Sequence, residues 1–386
     1  MAIVAIVGCD DYEYKTVGMA VNRGLELLGG ANRFACKGER ILLKPNLLAA
    51  DPPERCVTTH PAVFRAVAEA FLNNGVKLMY GDSPGFGSFA KAAHKSGLAA
   101  VAEELCIDTG NFSEGERISF SEGIQNKSFV IARAVNECQG IISLPKLKSH
   151  GLTILTGAIK NQFGCIPGFL KGEYHAKLPE MEHFITMLVE LTRLLKPRLY
   201  VMDAVLAMEG NGPRSGKPRK IGALLLSADP VALDATAARM VGLLPDTLDM
   251  LRIGQQYGLG CMDKESIVLL GDAMASFITT DFEISRASIM ARLSNHRLRN
   301  ILVQRPEIQE DECIHCGICV QVCPVTPKAL QWTGPGEGEE RCEPPVYNYD
   351  RCIRCYCCQE LCPEGAIKLV APLLGQALNI LKPPVS

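Results

Sequence analysis

The chain has 386 residues, 47 % hydrophobic and 21 % charged, with a net charge of −2 and a pI near 6.4. This is an ordinary globular composition, long enough for two or three domains. The near-neutral charge gives no general pull towards nucleic acid or anionic lipid, and no stretch approaches the ~20 apolar residues of a membrane span.

The opening segment Met1–Gly8 lacks a basic leader and is too short for a signal peptide, so a reducing, anaerobic cytoplasm is the expected setting. Short apolar runs then alternate with amphipathic helical stretches as far as about Leu270, which predicts a Rossmann-like layered α/β domain over residues 1–285. Ala2–Val7 reads as a buried strand and Thr16–Leu28 as a helix closed by Gly29 and Gly30. Arg40–Leu47 is a second strand. Pro61 suits the first turn of a helix over Ala62–Asn73, with His60 or a preceding Thr as its cap. Val76–Tyr80 is the next strand, and Gly81–Ser88 a turn-rich loop. Gly140–Leu144 is a strand that runs out into Pro145–Gly151, followed by a helical segment over Thr156–Phe163. Glu182–Leu195 is an amphipathic helix, Leu199–Ala207 and Ile221–Ser227 are strands, and Asp229 caps a helix that ends at Val241. A basic connector is expected over 286–305, a small domain over 306–371, and a short tail over 372–386.

That small domain carries the most specific signal in the chain. Cys313, Cys316, Cys319 and Cys323-Pro324 repeat as Cys352, Cys355, Cys358 and Cys362-Pro363. Both runs read C-x2-C-x2-C-x3-C-P, the bacterial ferredoxin pattern in which three thiolates wrap a [4Fe–4S] cube and the fourth serves the other cluster. Crossed ligation assigns Cys313, Cys316, Cys319 and Cys362 to one cluster, and Cys352, Cys355, Cys358 and Cys323 to the second. Zinc sites want two pairs of cysteines instead, and disulfides are disfavoured in a reducing compartment. Cys357, beside Cys358, reads as a packing thiol, and Cys342 fits neither run. The expected domain is a small α+β ferredoxin-like unit with two [4Fe–4S] clusters.

In the larger domain, polar residues gather at predicted strand ends, where open α/β sheets place their ligands. Lys44, Asn46, Lys146, Lys148, Lys160, Asn161, Glu209 and Asn211 are the candidates for binding a small anion, and His150 and His60 the candidates for proton transfer. Lys146, Lys148 and His150 alternate along an extended segment and so share a face. A solvated loop reads equally well at this point, Asp82-Ser83-Pro84 also fits plain turn chemistry, and an isolated His60 also fits a structural role. Gly81–Ser88 and Gly210–Gly216 could approach a phosphate, but neither is a Walker loop or a dinucleotide fingerprint.

Leu144–Thr153 with Thr156–Gly168, together with Lys44-Pro-Asn46, Thr58–Pro61, Gly81–Gly85, Asp203–Val205, Met208–Pro213 and Asp229–Asp234, resembles the family known as domain of unknown function 362. The resemblance covers most of residues 1–270 and implies a two-cluster tail, but no reaction. A patchier likeness, through the Thr-Thr-His-Pro helix start and through His150 followed by Thr156–Lys160, is to nickel-pincer lactate racemases. That likeness implies His60 and His150 as acid/base groups, with Lys146, Lys148 and Lys160 orienting an anion.

Three functions are compatible with these readings. One is an iron–sulfur oxidoreductase passing single electrons between its clusters and a small anionic substrate or cofactor in the α/β domain. The others are an electron carrier whose α/β domain docks a redox partner protein, and a racemase-like enzyme with structural clusters. Anaerobically purified, reconstituted protein is expected to contain about eight iron and eight sulfide per chain. Four iron or fewer would contradict the two-run reading.

Overall fold

The computed structural model describes residues 1–168, 170–284, 300–301, 303–333 and 343–372. Most of the expected connector and tail, and Cys342, lie outside these residues.

Ten strands form one sheet: β1 (Ala2–Gly8), β2 (Arg40–Pro45), β3 (Lys77–Tyr80), β4 (Asp108–Thr109), then β7 (Gly140–Leu144), β8 (Lys146–His150), β9 (Ile154–Thr156), β10 (Leu199–Glu209), β11 (Lys217–Ser227) and β12 (Ile267–Gly271). A separate hairpin, β5 (Gly115–Ser119) and β6 (Ser128–Ala132), lies between β4 and β7 in the chain. The order across the sheet is β12-β1-β11-β10-β7-β2-β3-β4, with β8 also beside β10 and hairpinned to β9. Pairing is parallel along β10-β7-β2-β3-β4 and between β1 and β12, and antiparallel at β1-β11-β10.

Successive side chains of these strands enter two different cores. Val4 and Ile6 of β1 face one, Ala5 and Val7 the other; Tyr200 and Met202 of β10 oppose Leu199 and Val201 in the same way. Burial on both faces explains why the strands read as continuous apolar runs in place of alternating ones. The expected α/β class is what the chain adopts. The predicted helix at Thr156 starts later: Thr156 closes β9, and the helix is Ala158–Asn161, whose first amides donate to the Asp234 carboxylate. The segment after Pro145, expected as a strand end, continues as β8 because Pro145 and Lys146 carry the β7 pairing onward along β10. A helix at Leu170–Lys177 has no counterpart in the sequence reading.

The cluster domain closes on itself through β13 (Arg305–Ile308) paired antiparallel with β16 (Ile367–Val370), and β14 (Leu330–Gln331) with β15 (Val346–Tyr347). Its two cysteine runs share one backbone path. His315 and Gly317 in the first run, and Arg354 and Tyr356 at the equivalent places in the second, adopt left-handed φ values of 55°, 72°, 62° and 61°. These reversals on either side of the second cysteine curl each run, after which Ile318–Gln321 and Cys357–Leu361 form short helices. Among the described residues, no helix is long and apolar enough to cross a membrane.

The helix Cys357–Leu361 packs onto the carboxyl ends of the large sheet. Arg214 Nη1 donates to the Leu361 carbonyl (2.9 Å) while its Nε holds Asp51 (2.7 Å), and buried Gln359 donates to Asn211 Oδ1 (2.9 Å). A side chain at Gly85 would collide with Leu361. Gly210–Gly216, read as a possible phosphate loop, thus meets the cluster domain through Asn211, Gly212 and Arg214.

Under this junction lies a fully buried ion pair. Asp203 accepts from Lys146 Nζ (2.7 Å), Tyr12 Oη (2.8 Å) and the His60 amide (3.0 Å). Removing one charge of a buried pair strands the other, so Asp203→Asn is expected to cost about 3–5 kcal/mol in urea unfolding. A loss below about 0.5 kcal/mol, the scale of surface substitutions, would contradict this account of the pair.

Candidate functional site

A cavity of about 120 Å³ opens where the carboxyl ends of β2 and β3, the strand β8, the helices Ala158–Asn161 and Leu170–Lys177, and the cluster domain meet. Open sheets place ligands at such ends. Its α/β wall includes Lys148, His150, Lys160, Lys171 and His175; Val322, Cys357, Glu360 and Leu361 of the cluster domain complete it.

The alternation expected along Lys146, Lys148 and His150 brings all three side chains to this cavity, but their roles differ. Lys146 is committed to Asp203. Lys148 has only neutral acceptors, Asn46 Oδ1 (2.8 Å) and the Val57 carbonyl (2.7 Å). Burial pushes its ammonium down to about 7, against the pull of the Glu360 carboxylate. His150 accepts from the Leu152 amide at Nδ1 (2.9 Å), which leaves its ring proton on Nε2. That Nε2 is buried without a hydrogen-bond partner, 3.7 Å from Glu360 Oε2. Burial, with the charges of Lys160 and Lys148, holds the His150 pKa well below the ordinary value, so the ring is neutral.

Lys44 is paired with Asp82 (2.9 Å), which also accepts from the Leu47 and Ser83 amides (2.7 and 2.8 Å). Turn and ion pair are therefore one feature. A side chain at Gly164 would strike both Asp82 and Lys44. Asn161 donates to Ser143 Oγ (2.9 Å), and Lys160 stands 4.9 Å over the Phe163 ring with no hydrogen bond or ion pair among the described residues.

Lys44 stands behind Asp82 without lining the cavity, and three further expected site residues lie elsewhere. His60 caps the helix Pro61–Leu72 by accepting from the Ala62 amide and stacks on Tyr12 at 3.6 Å. Burial pushes its pKa down to about 4. Its sequence position as a cap was legible; its distance from the cavity was not. Glu209 accepts from the Glu283 amide (3.0 Å), and Asn211 serves the domain junction.

Lys171, His175 and Glu360 escaped the sequence reading. Lys171 donates to Ser83 Oγ and to the Ser83 and Pro84 carbonyls (2.6, 2.6 and 3.0 Å), and burial pushes it down to about 7. His175 shares its helix face at the i+4 position and is pushed down to about 3 by burial and Lys160. That spacing was a usable signal. Glu360 stands between Cys358 and Cys362, hidden by the motif itself.

Cysteines of the two runs neighbour one another: Cys319 lies near Cys362 as well as Cys316 and Cys313, and Cys358 near Cys319 as well as Cys355 and Cys352. Burial, together with the neighbouring sulfurs of Cys316, Cys362 and Cys313, raises the Cys319 thiol to about 12. Cys358 senses Cys355 and Cys352, and Cys355 senses Cys323. Thiols crowded in this way resist ionising together, and an iron cluster that takes them as thiolates removes the conflict. Two further donors aim at these sulfurs: Tyr347 Oη on Cys358 Sγ (3.2 Å) and the Ala329 amide on Cys323 Sγ (3.4 Å). Cys357, beyond packing, hydrogen-bonds Cys355 and lines the cavity.

Residues 41–239 match the family described as a domain of unknown function (DUF362). The chain belongs to the DUF362 family. Residues 312–366 match a 4Fe-4S dicluster domain, which makes this DUF362 member an iron–sulfur protein with an electron-transfer module. A thylakoid-associated protein of Synechocystis sp. is 35 % identical over 257 residues, covering 66 % of this chain and 79 % of that protein. Among solved structures, the lactate racemase apoprotein of Thermoanaerobacterium thermosaccharolyticum superposes with a TM-score of 0.41 at 12 % identity, over 63 % of this chain and 57 % of that one. A protein from Thermotoga maritima gives 0.36 at 10 % identity, over 65 % and 60 %. The chain thus spans less than two thirds of either solved protein.

The cavity lysines make a stability prediction. Lys148 and Lys171 titrate near 7 when folded and near 10.5 when unfolded. Above pH 7 the unfolded chain therefore binds more protons, and stability rises with pH, on the order of 1 kcal/mol per pH unit for each lysine. The window closes near 9, where the thiols of Cys9 and Cys165, pushed up to about 12, begin to act in the opposite sense. Unfolding midpoints are expected to climb from pH 7 to 9, with about half that slope in Lys171→Met. Midpoints that fall over this range would contradict the assignment.

Proposed function

We propose that the protein is an iron–sulfur oxidoreductase of the cytoplasm, in which two clusters exchange single electrons with a small anionic substrate held in the junction cavity. Cys313, Cys316, Cys319 and Cys362 hold one cluster; Cys352, Cys355, Cys358 and Cys323 hold the other. Bound, a [4Fe–4S] cluster accepts or releases one electron at a potential tuned by charge, burial and hydrogen bonds to its sulfurs.

The observation that carries this reading is the shared wall: the helix that bears Cys358 presents Cys357 and Glu360 to the same cavity as Lys148, His150 and Lys160. A docking module would not need buried cations facing the clusters. Lys148, Lys160 and Lys171 bind and orient the anion, and the surrounding apolar side chains of Leu47, Phe163 and Leu361 keep bulk water low. His150, neutral with its proton on Nε2, is placed to donate a hydrogen bond to a substrate oxygen that gains negative charge. Tyr347 and the Ala329 amide, through their bonds to Cys358 and Cys323, would raise the potential of the cluster those cysteines hold.

The test uses cluster-loaded protein reduced anaerobically and mixed with a panel of small reducible carboxylates and phosphates. At least one compound is expected to reoxidise the clusters, and His150→Ala to slow that step by about 10²-fold or more while cluster content and reduction by dithionite persist. If no compound reoxidises the clusters while a ferredoxin-type partner accepts electrons freely, the protein is a carrier and the proposal fails.

A further inference from the structure

The charges around the cavity do not balance. Lys44 is neutralised by Asp82 and Lys146 by Asp203. That leaves the amines of Lys148, Lys160 and Lys171 against one lining carboxylate, Glu360, an excess of two positive charges once an anion holds Lys148 and Lys171 in their protonated form. Among the described residues, Lys148 and Lys171 rest on neutral oxygens, and Lys160 rests on an aromatic face. Lys160 is also the charge that Lys148, His150, Lys171 and His175 all sense, which puts it at the centre of the group.

The unsatisfied polar groups point the same way. His150 Nε2–H is 2 % exposed as a residue, buried at the atom, and without an acceptor. The Lys160 ammonium offers further donors. An occupant must therefore bring several acceptor oxygens and about two negative charges. The cavity, about 120 Å³, suits a small ligand.

We infer that the cavity selects a small dianion, a dicarboxylate or a phosphate, over a monocarboxylate, with Lys160 as the residue that sets this preference. The inference deepens the proposed function and rests on its reading of the cavity as the substrate site. A buried excess of two charges is neutralised by a dianion and only half neutralised by a monoanion. Lys160 is the group free to reach the ligand without giving up a hydrogen bond of its own.

Calorimetry on the cluster-loaded full chain, anaerobic and at fixed ionic strength, tests this with inorganic phosphate, malonate and acetate. At least one dianion is expected to bind about tenfold or more tighter than acetate, and whichever is tighter names the ligand as phosphoryl or dicarboxylate. Lys160→Met is expected to weaken the dianion by about tenfold, with acetate held within about twofold, and Lys160→Arg to restore the preference. Acetate binding as tightly as either dianion would overturn the inference, as would no binding by any of the three. So would a preference that survives Lys160→Met. The two readings fail separately. A monoanion that binds preferentially and reoxidises the clusters removes the dianion inference alone. Dianion selectivity without any effect on cluster reoxidation removes the electron-delivery reading alone.

Discussion

One side chain holds the two halves of this protein in register. Arg214 is buried between Asp51 of the α/β domain and the Leu361 carbonyl of the cluster domain, and each of its bonds satisfies a group that would otherwise be costly to bury. Because it grips the last residue of the helix Cys357–Leu361, it also fixes where that helix points. Glu360 and Cys357 reach the cavity only in this seating. The Asn211–Gln359 bond and the close approach of Gly85 to Leu361 support the same orientation from either side.

The two domains contribute opposite things to the cavity. The α/β side supplies cations on a rigid scaffold, built from strand ends whose residues are locked by the Lys44–Asp82 and Lys146–Asp203 pairs. These pairs order the strand ends beside the strand and helices that carry Lys148, Lys160 and Lys171. The cluster side supplies a thiol, a carboxylate and apolar cover. A low-dielectric site with uncompensated ammonium groups is primed for an anion, and it places that anion beside the cluster-bearing helix.

Much of this was legible in the residues. The two cysteine runs have a spacing that only a curled backbone satisfies, and the paired left-handed residues at His315 and Gly317, Arg354 and Tyr356 are that curl. Period-two alternation brought Lys146, Lys148 and His150 to one cavity, and Pro61 marked a capped helix start. What sequence could not resolve was partnership. Nothing local distinguishes Lys146, sequestered by Asp203 from 57 residues away, from Lys148, which among the described residues has no carboxylate partner. His60 and His150 were equal candidates for proton transfer, yet one ring caps a helix and the other faces the cavity. Lys171 and His175 sit on a helix with no apolar stripe to announce it. Glu360 became a cavity residue only through the docking of a second domain.

The central claim is that a bound anion and a cluster sit on either side of one wall. Pulsed electron paramagnetic resonance of the reduced protein measures this directly, using a bound oxyanion with a magnetic nucleus, either the phosphorus of phosphate or labelled carbon in malonate. The account predicts a hyperfine coupling between that nucleus and the cluster spin, lost in Lys160→Met. Saturating, calorimetrically verified binding with no such coupling would contradict it.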